Sequence, residues 1–285
     1  MDDRLSRLND RILQFDQGVV VAFSGGVDSA LLLRVSVEQL GDRALAVTAE
    51  SPSFPEQDRR DAVRLAREFG TELHLVQTQE MDNDLYRRNE PDRCYHCKLT
   101  LFECLRSLAL ERGFQDLAFG ANKDDEADFR PGHLAARELK VHAPLLEVGL
   151  TKVDVRELAR DLGISVWNKP ASACLSSRVP FGTPIDRAAL LQIDSAESLL
   201  RRLGYAQCRV RHHGETARIE LPPGEIVRAA GEDRERIQRG LEEIGFRYVT
   251  VDLAGYRSGS LNPTPTSGRS AGTGTESAAP GSSSP

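Results

Sequence analysis

Long apolar runs are missing from this chain. No window holds the eighteen or so uninterrupted apolar residues that a membrane span needs, so no membrane partner is expected. Excess basic charge is missing too. Lys and Arg total 37 against 43 Asp and Glu, a net charge of -6, which argues against a dedicated nucleic-acid binder, because phosphate backbones are met by basic surfaces. Cysteine is scarce and odd in number, five in all, which excludes a disulfide framework and leaves thiols, metal ligands or catalytic sulfur. The first residues, MDDRLSRLNDRILQFD, read as a charged helix rather than a targeting segment, and the expected location is cytoplasmic. Residues 262–285 contain no Ile, Leu, Val or aromatic side chain to offset ordering entropy, and read as a disordered tail.

What is present is a repeated strand–helix rhythm. GVVVAF, the polar turn SGGVDS and the apolar ALLLRVSVEQLG read as strand, tight turn and helix. ALAVTAE, PEQDRRDAVRLAREFG and ELHLVQTQ repeat the unit. After a cysteine-bearing segment come the helix LTLFECLRSLALERG, the strand DLAFGAN and the helix TKVDVRELARDLG, with Thr151 as N-cap and Gly163 as its stop. Such alternation predicts an α/β fold, a parallel sheet with helices on both faces, over residues 1–180. From about Asp186 the order becomes helix, strand, strand, helix, strand, predicting a smaller α/β domain over 181–261 that serves substrate binding or oligomerisation.

Ser24, Gly25, Gly26, Asp28 and Ser29 sit where the first strand meets its helix. Two glycines let the backbone approach an anion, and N–H groups at the helix start, helped by the serine hydroxyls, point at phosphate. Asp28 would repel phosphate unless it ligates a Mg²⁺ shared with it. The hexapeptide SGGVDS resembles the loop of the PP-loop ATP pyrophosphatases, which split ATP between its α and β phosphates and adenylylate a substrate. FGANKDDEAD and RPG resemble the later part of that site. The resemblance implies ATP contacts at Gly120, Asp124 and Asp125, with Glu126 joining Asp28 on Mg²⁺.

Cys94 and Cys97, in RCYHCK, are open to several chemistries on spacing alone: an iron-sulfur clip, zinc with His96 as a further ligand, a redox pair or packing. Taken in order, SGGVDS, RCYHCK, GANKDD, RPG, WNKPASACLSSR, RVRHHGETARIE and GYRSGSLN resemble the LarE family over residues 1 to about 262. That family thiolates pyridinium-3,5-biscarboxylic acid mononucleotide for a nickel-pincer cofactor. The resemblance implies that Cys174 bears or gives up the sulfur. In one branch Cys174 is sacrificed. In the other, Cys94, Cys97 and Cys174 hold a 4Fe-4S cluster.

A substrate with carboxylates and a phosphate calls for cations, and Arg178, Arg209, Arg211 and Arg257 lie in these stretches. Arg209 and Arg211 alternate on one strand and share a face. Tyr95 and Trp167 are candidates to stack on a pyridinium ring, packing being as good a reading of Trp167. Cys104 and Cys208 read as core packing. The partners expected are a small mononucleotide and further copies of the chain. Competing readings are a tRNA thiolase, an ammonia-using synthetase such as NAD or GMP synthetase, and a nucleotide or iron-sulfur binder without turnover.

Overall fold

The structure is a computed structural model, and it describes residues 2–126, 131–170 and 172–257. The tail therefore lies outside the described residues, as do part of FGANKDDEAD, the Arg of RPG and the end of GYRSGSLN.

Helix α1 (Asp3–Ile12) leads into β1 (Val19–Ala22), α2 (Val27–Leu40), β2 (Ala44–Glu50), α3 (Glu56–Glu68) and β3 (Leu73–Gln77). A short α4 (Asp84–Arg87), the long α5 (Arg93–Glu111) and β4 (Asp116–Phe119) follow, then α6 (Pro131–Glu138), α7 (Pro144–Glu147) and α8 (Lys152–Asp161). The four strands form one all-parallel sheet in the order β3-β2-β1-β4. Successive side chains of a strand point to opposite faces. Val19 and Val21 accordingly pack with α1, α2 and α8 residues such as Leu8, Leu32 and Leu158, while Val20 packs with Phe102 and Leu105 of α5. The expected helices on both faces are present. Because α2 lies between the sheet and α8, it is apolar nearly all round, with Leu31, Leu32, Leu33 and Val35 fully buried.

The second sheet has three strands in the order β5-β6-β7. Helix α9 (Arg187–Arg202) precedes β5 (Arg209–His213) and β6 (Thr216–Glu220), which form an antiparallel hairpin. The chain then passes through α10 (Ile226–Ala230) and α11 (Arg234–Ile244) to β7 (Tyr248–Val251), which pairs in parallel with β6. Tyr86, Leu175, Val179, Ile185, Leu190 and Ile193 form an apolar cluster that joins this unit to the first.

One element departs from expectation. The helix read as starting after the cysteines begins at Arg93, so Cys94 and Cys97 belong to the first two turns of α5. Polar and cysteine residues gave no apolar periodicity there, and the amphipathic pattern becomes visible only from Leu99 onward. The predicted cap at Thr151 is present as a full capping box: Asp154 N–H donates to Thr151 Oγ1 at 3.2 Å and Thr151 N–H donates to Asp154 Oδ2 at 2.9 Å. Gly163, at φ +68°, ends α8, with Ile164 N–H returning to the Ala159 carbonyl at 2.8 Å.

Thr151→Ala is expected to cost about 1 kcal/mol of stability. In thermal unfolding this would appear as a fall of about 2 °C in Tm, and an unchanged midpoint would mean that the box contributes nothing.

Candidate functional site

The loop after β1 is shaped by glycine. Gly25 has φ +69°, and a Cβ on it would lie 2.9 Å from the Asp58 carbonyl oxygen and the Ala62 nitrogen, so the loop leans directly on the start of α3. Gly26 is the N-cap of α2 and has no side chain to satisfy the helix's first N–H groups. The serines close the turn. Ser24 N–H donates to Ser29 Oγ at 3.2 Å, and Ser29 Oγ donates to the Gly26 carbonyl at 3.1 Å. Gly120 is demanded by packing, since a Cβ there would sit 2.6 Å from the Ser29 nitrogen.

Asp28 points into a polar network at the C-terminal ends of β1 and β4. Its Oδ1 accepts from Asn122 Nδ2 at 3.0 Å, and its Oδ2 pairs with the Lys152 ammonium. Asp124 and Asp125 serve local backbone. Asp124 Oδ2 accepts from the Lys152 N–H and Asp125 Oδ2 from the Asn122 N–H, both at 3.0 Å. Glu126 is exposed. Sequence reasoning passed over Asn122 and Lys152, although Lys152 follows the Thr151 cap directly and Asn122 lies in a quoted motif.

The two cysteine-bearing stretches meet. Asn89, fully buried at φ +58°, donates through Nδ2 to the carbonyls of Val179 at 3.3 Å, Pro180 at 2.8 Å and Thr183 at 2.9 Å. Arg93 donates to Asn89 Oδ1 and, at 3.1 Å, to the Ser176 carbonyl. The Tyr86 hydroxyl shares a 2.6 Å hydrogen bond with Ser176. Cys97 packs beside the cluster that contains Leu175, the neighbour of Cys174.

The thiols feel one another. Desolvation, then the Cys174 sulfur, pushes the Cys97 thiol up to about 12, with Cys94 adding to the effect. Cys94 is exposed as a residue, yet desolvation of its thiol and then Cys174 raise it as well, against the pull of Arg93. Among the described residues no three His, Cys, Asp or Glu side chains are gathered as a single metal ion would require. Tetrahedral zinc, with Zn–S near 2.3 Å, would hold its sulfurs roughly 3.8 Å apart, and a cubane cluster spaces its thiolates more widely. The His96 ring lies 3.2 Å from Asp92 Oδ2.

The arginines are where the structure and the reading from sequence differ. Arg178 is fully buried and forms a two-point pair with Glu197, at 2.8 and 3.0 Å, while its NH1 donates to the carbonyls of Ala173 at 2.6 Å and Cys174 at 2.9 Å. It holds the Cys174 turn from behind. Arg209 and Arg211 do share a face, but an inward one. Arg211 donates to the Ser177 carbonyl at 2.8 Å and to Glu220 at 2.7 Å, and Arg209 donates to the Cys208 carbonyl at 2.8 Å and lies over the Tyr256 ring. Arg257 is exposed. Alternation revealed the shared face but not Glu197 and Glu220, which neutralise it from other elements.

Tyr95 turns toward α6 and donates to Glu138 at 2.6 Å, and Trp167 is 38% exposed rather than packed in a core. Cys208 is core as expected. Cys104 is only half-buried, its sulfur 3.9 Å from the Gln77 carbonyl, so the core reading is corrected there.

A parallel β3-β2-β1-β4 sheet with this serine–glycine loop between β1 and α2 is the architecture of a PP-loop protein. Residues 7–97 match the NAD synthase family. An uncharacterized protein of Synechocystis is 42% identical over 92% of this chain and 98% of its own length. A pyridinium-3,5-bisthiocarboxylic acid mononucleotide synthase of Lactiplantibacillus plantarum is 40% identical over 87% of this chain and 90% of its own. A tRNA-5-methyluridine(54) 2-sulfurtransferase of Pyrococcus horikoshii matches less, at 31% identity over 44% of this chain and 42% of its own. The chain belongs to the family of the Lactiplantibacillus synthase, the LarE family of ATP-dependent sulfurtransferases within the PP-loop ATP pyrophosphatases. No helix among the described residues is long and apolar enough to cross a membrane.

Glu197 is expected to be a structural keystone. Glu197→Ala strands the Arg178 charge in a closed interior, and equilibrium unfolding in urea should register a loss of about 3–5 kcal/mol. A loss below about 1 kcal/mol, the scale of an exposed pair, would contradict that reading.

Proposed function

We propose that this enzyme adenylylates a carboxylate of pyridinium-3,5-biscarboxylic acid mononucleotide with ATP and converts it to a thiocarboxylate, the sulfur leaving from the site of Cys94, Cys97 and Cys174. The observation that carries the reading is the convergence of three thiols from two distant stretches, with Leu175, next to Cys174, bonded to the Ser53 carbonyl beyond the C-terminal end of β2. Likeness to the Lactiplantibacillus synthase over most of both chains supports the substrate, and the shorter match to the tRNA sulfurtransferase disfavours RNA.

In this reading the substrate carboxylate attacks the α-phosphorus of ATP, and pyrophosphate leaves. The bare N-terminus of α2 and the serines receive its charge. A Mg²⁺ bound through phosphate oxygens needs only one or two protein carboxylates, so Asp28, with Glu126 in reserve, suits it, and the ion would supply charge neutralisation. Lys152 is a cation already in contact with Asp28 and stands ready to pass to phosphate when Asp28 takes the metal. Sulfur then attacks the acyl carbon and AMP departs.

A 4Fe-4S cluster would be held by Cys94, Cys97 and Cys174, three thiols from two stretches of the kind such a cluster takes as ligands. Such a cluster would supply, when bound, an exchangeable sulfide as the sulfur that is transferred. The raised thiols mean that loading it releases protons and is favoured by higher pH. Arg93, buried beside Cys94 and Ser176, adds a positive charge next to the sulfurs. A second reading gives the sulfur of Cys174 itself, once per chain: its thiolate displaces AMP to form a thioester, and elimination then breaks the Cβ–Sγ bond, releasing the thiocarboxylate and leaving dehydroalanine; the half-buried position of Cys174 favours it, and it leaves Cys94 and Cys97 without a task. Free thiols of this kind suit the reducing cytoplasm, where we place the enzyme.

Asp28→Ala is expected to abolish substrate-dependent pyrophosphate release, whereas Cys174→Ala retains it and makes no thiocarboxylate. Pyrophosphate quantified beside the product by mass spectrometry separates the two half-reactions. Release that survives in Asp28→Ala, or thiocarboxylate from Cys174→Ala, would refute the assigned roles.

A further inference from the structure

We infer that Lys169, acting with Asp58 and Ser172, is a positioning device that ties the stretch before Cys174 to the phosphate loop, so that sulfur and not water meets the adenylate. The inference rests on the reading above and concerns residues it leaves unused.

The Lys169 ammonium, largely buried, bonds Asp61 at 2.6 Å and Asp58 at 2.9 Å, and donates to the Gly25 carbonyl at 3.4 Å. Asp58 is the hub. Its own carbonyl is the atom against which Gly25 leans, and its Oδ2 accepts from the Ser172 hydroxyl at 2.6 Å. Leu175 N–H then donates to the Ser53 carbonyl at 2.8 Å, just ahead of α3. The chain is thus tethered at Lys169, Ser172 and Leu175, on both sides of Cys174, to the same stretch that supports the ATP loop. Arg156 of α8 adds a bond at 2.8 Å to the Lys169 carbonyl. One ammonium between two carboxylates, both screened from water, is a costly arrangement for a surface loop to maintain without a positional demand.

That demand follows from the chemistry. An acyl adenylate that meets water gives back the carboxylate and AMP, so ATP is consumed with no carbon–sulfur bond formed. Small displacement of the sulfur is enough to lose the race, since an error of 1 Å in placement costs about 10²-fold in rate.

The test measures AMP and thiocarboxylate made per chain, with pyridinium-3,5-biscarboxylic acid mononucleotide and ATP, for the full chain and its variants. Lys169→Ala should lower thiocarboxylate far more than AMP, raising the AMP-to-product ratio by about 10²-fold. Ser172→Ala should raise the ratio less, and Lys169→Arg, which keeps a cation in reach of both carboxylates, should restore much of the coupling. If Lys169→Ala does not fold, judged by circular dichroism, Ser172→Ala reads the same ratio. A ratio unchanged while both products fall together would overturn the inference and leave Lys169 a plain structural residue. Absence of pyrophosphate release from the unaltered enzyme would instead remove the underlying reading.

Discussion

Asn89 is buried, lies in the left-handed region and has no role in chemistry, yet the sulfur site depends on it. Its amide nitrogen gathers the carbonyls of Val179, Pro180 and Thr183, and its amide oxygen receives Arg93, which in turn reaches Ser176. These bonds satisfy polar groups that would otherwise be buried without partners, at about 1–3 kcal/mol each. They also fix a distance. With the 89–97 stretch clipped to the 174–183 stretch, Cys174 has no choice but to lie beside Cys94 and Cys97, whose thiols it helps to hold protonated.

Behind this clip lies a layer of buried charge. Arg178, Arg209 and Arg211 are set among Glu197 and Glu220, both fully buried; Arg178 and Arg211 also donate to the carbonyls of Cys174 and Ser177, and Arg209 to that of Cys208. Exposed arginines would gain little from such pairing, but here the pairs are closed to water and their loss leaves a charge stranded. The three-stranded unit therefore backs the stretch that carries Cys174. The four-stranded unit leans its SGGVDS loop on α3, to which Ser172 of the Cys174 stretch is also bonded.

Much of this was legible in the sequence. The strand–helix rhythm announced the parallel sheet, SGGVDS the loop, and Thr151 and Gly163 the ends of α8, because each is a local signal with a local cause. The start of α5 was missed, since Arg93–Lys98 carries no apolar period. Arg178 was read as facing a ligand because a lone sequence shows an arginine but not the Glu197 that awaits it nineteen positions on in another helix. Lys152, Lys169 and Asn122 escaped notice for a similar reason. Their importance comes from tertiary neighbours, Asp28, Asp58, Asp61 and Gly25, that no spacing rule connects.

The most direct test of the account is the iron and acid-labile sulfide content of the full chain purified without oxygen, with Cys94→Ala measured alongside. Close to four irons per chain, lost in the variant, is the predicted result for a cluster on Cys94, Cys97 and Cys174. Protein that stays free of iron after anaerobic reconstitution would contradict it and return Cys174 to the part of a sulfur donor spent once.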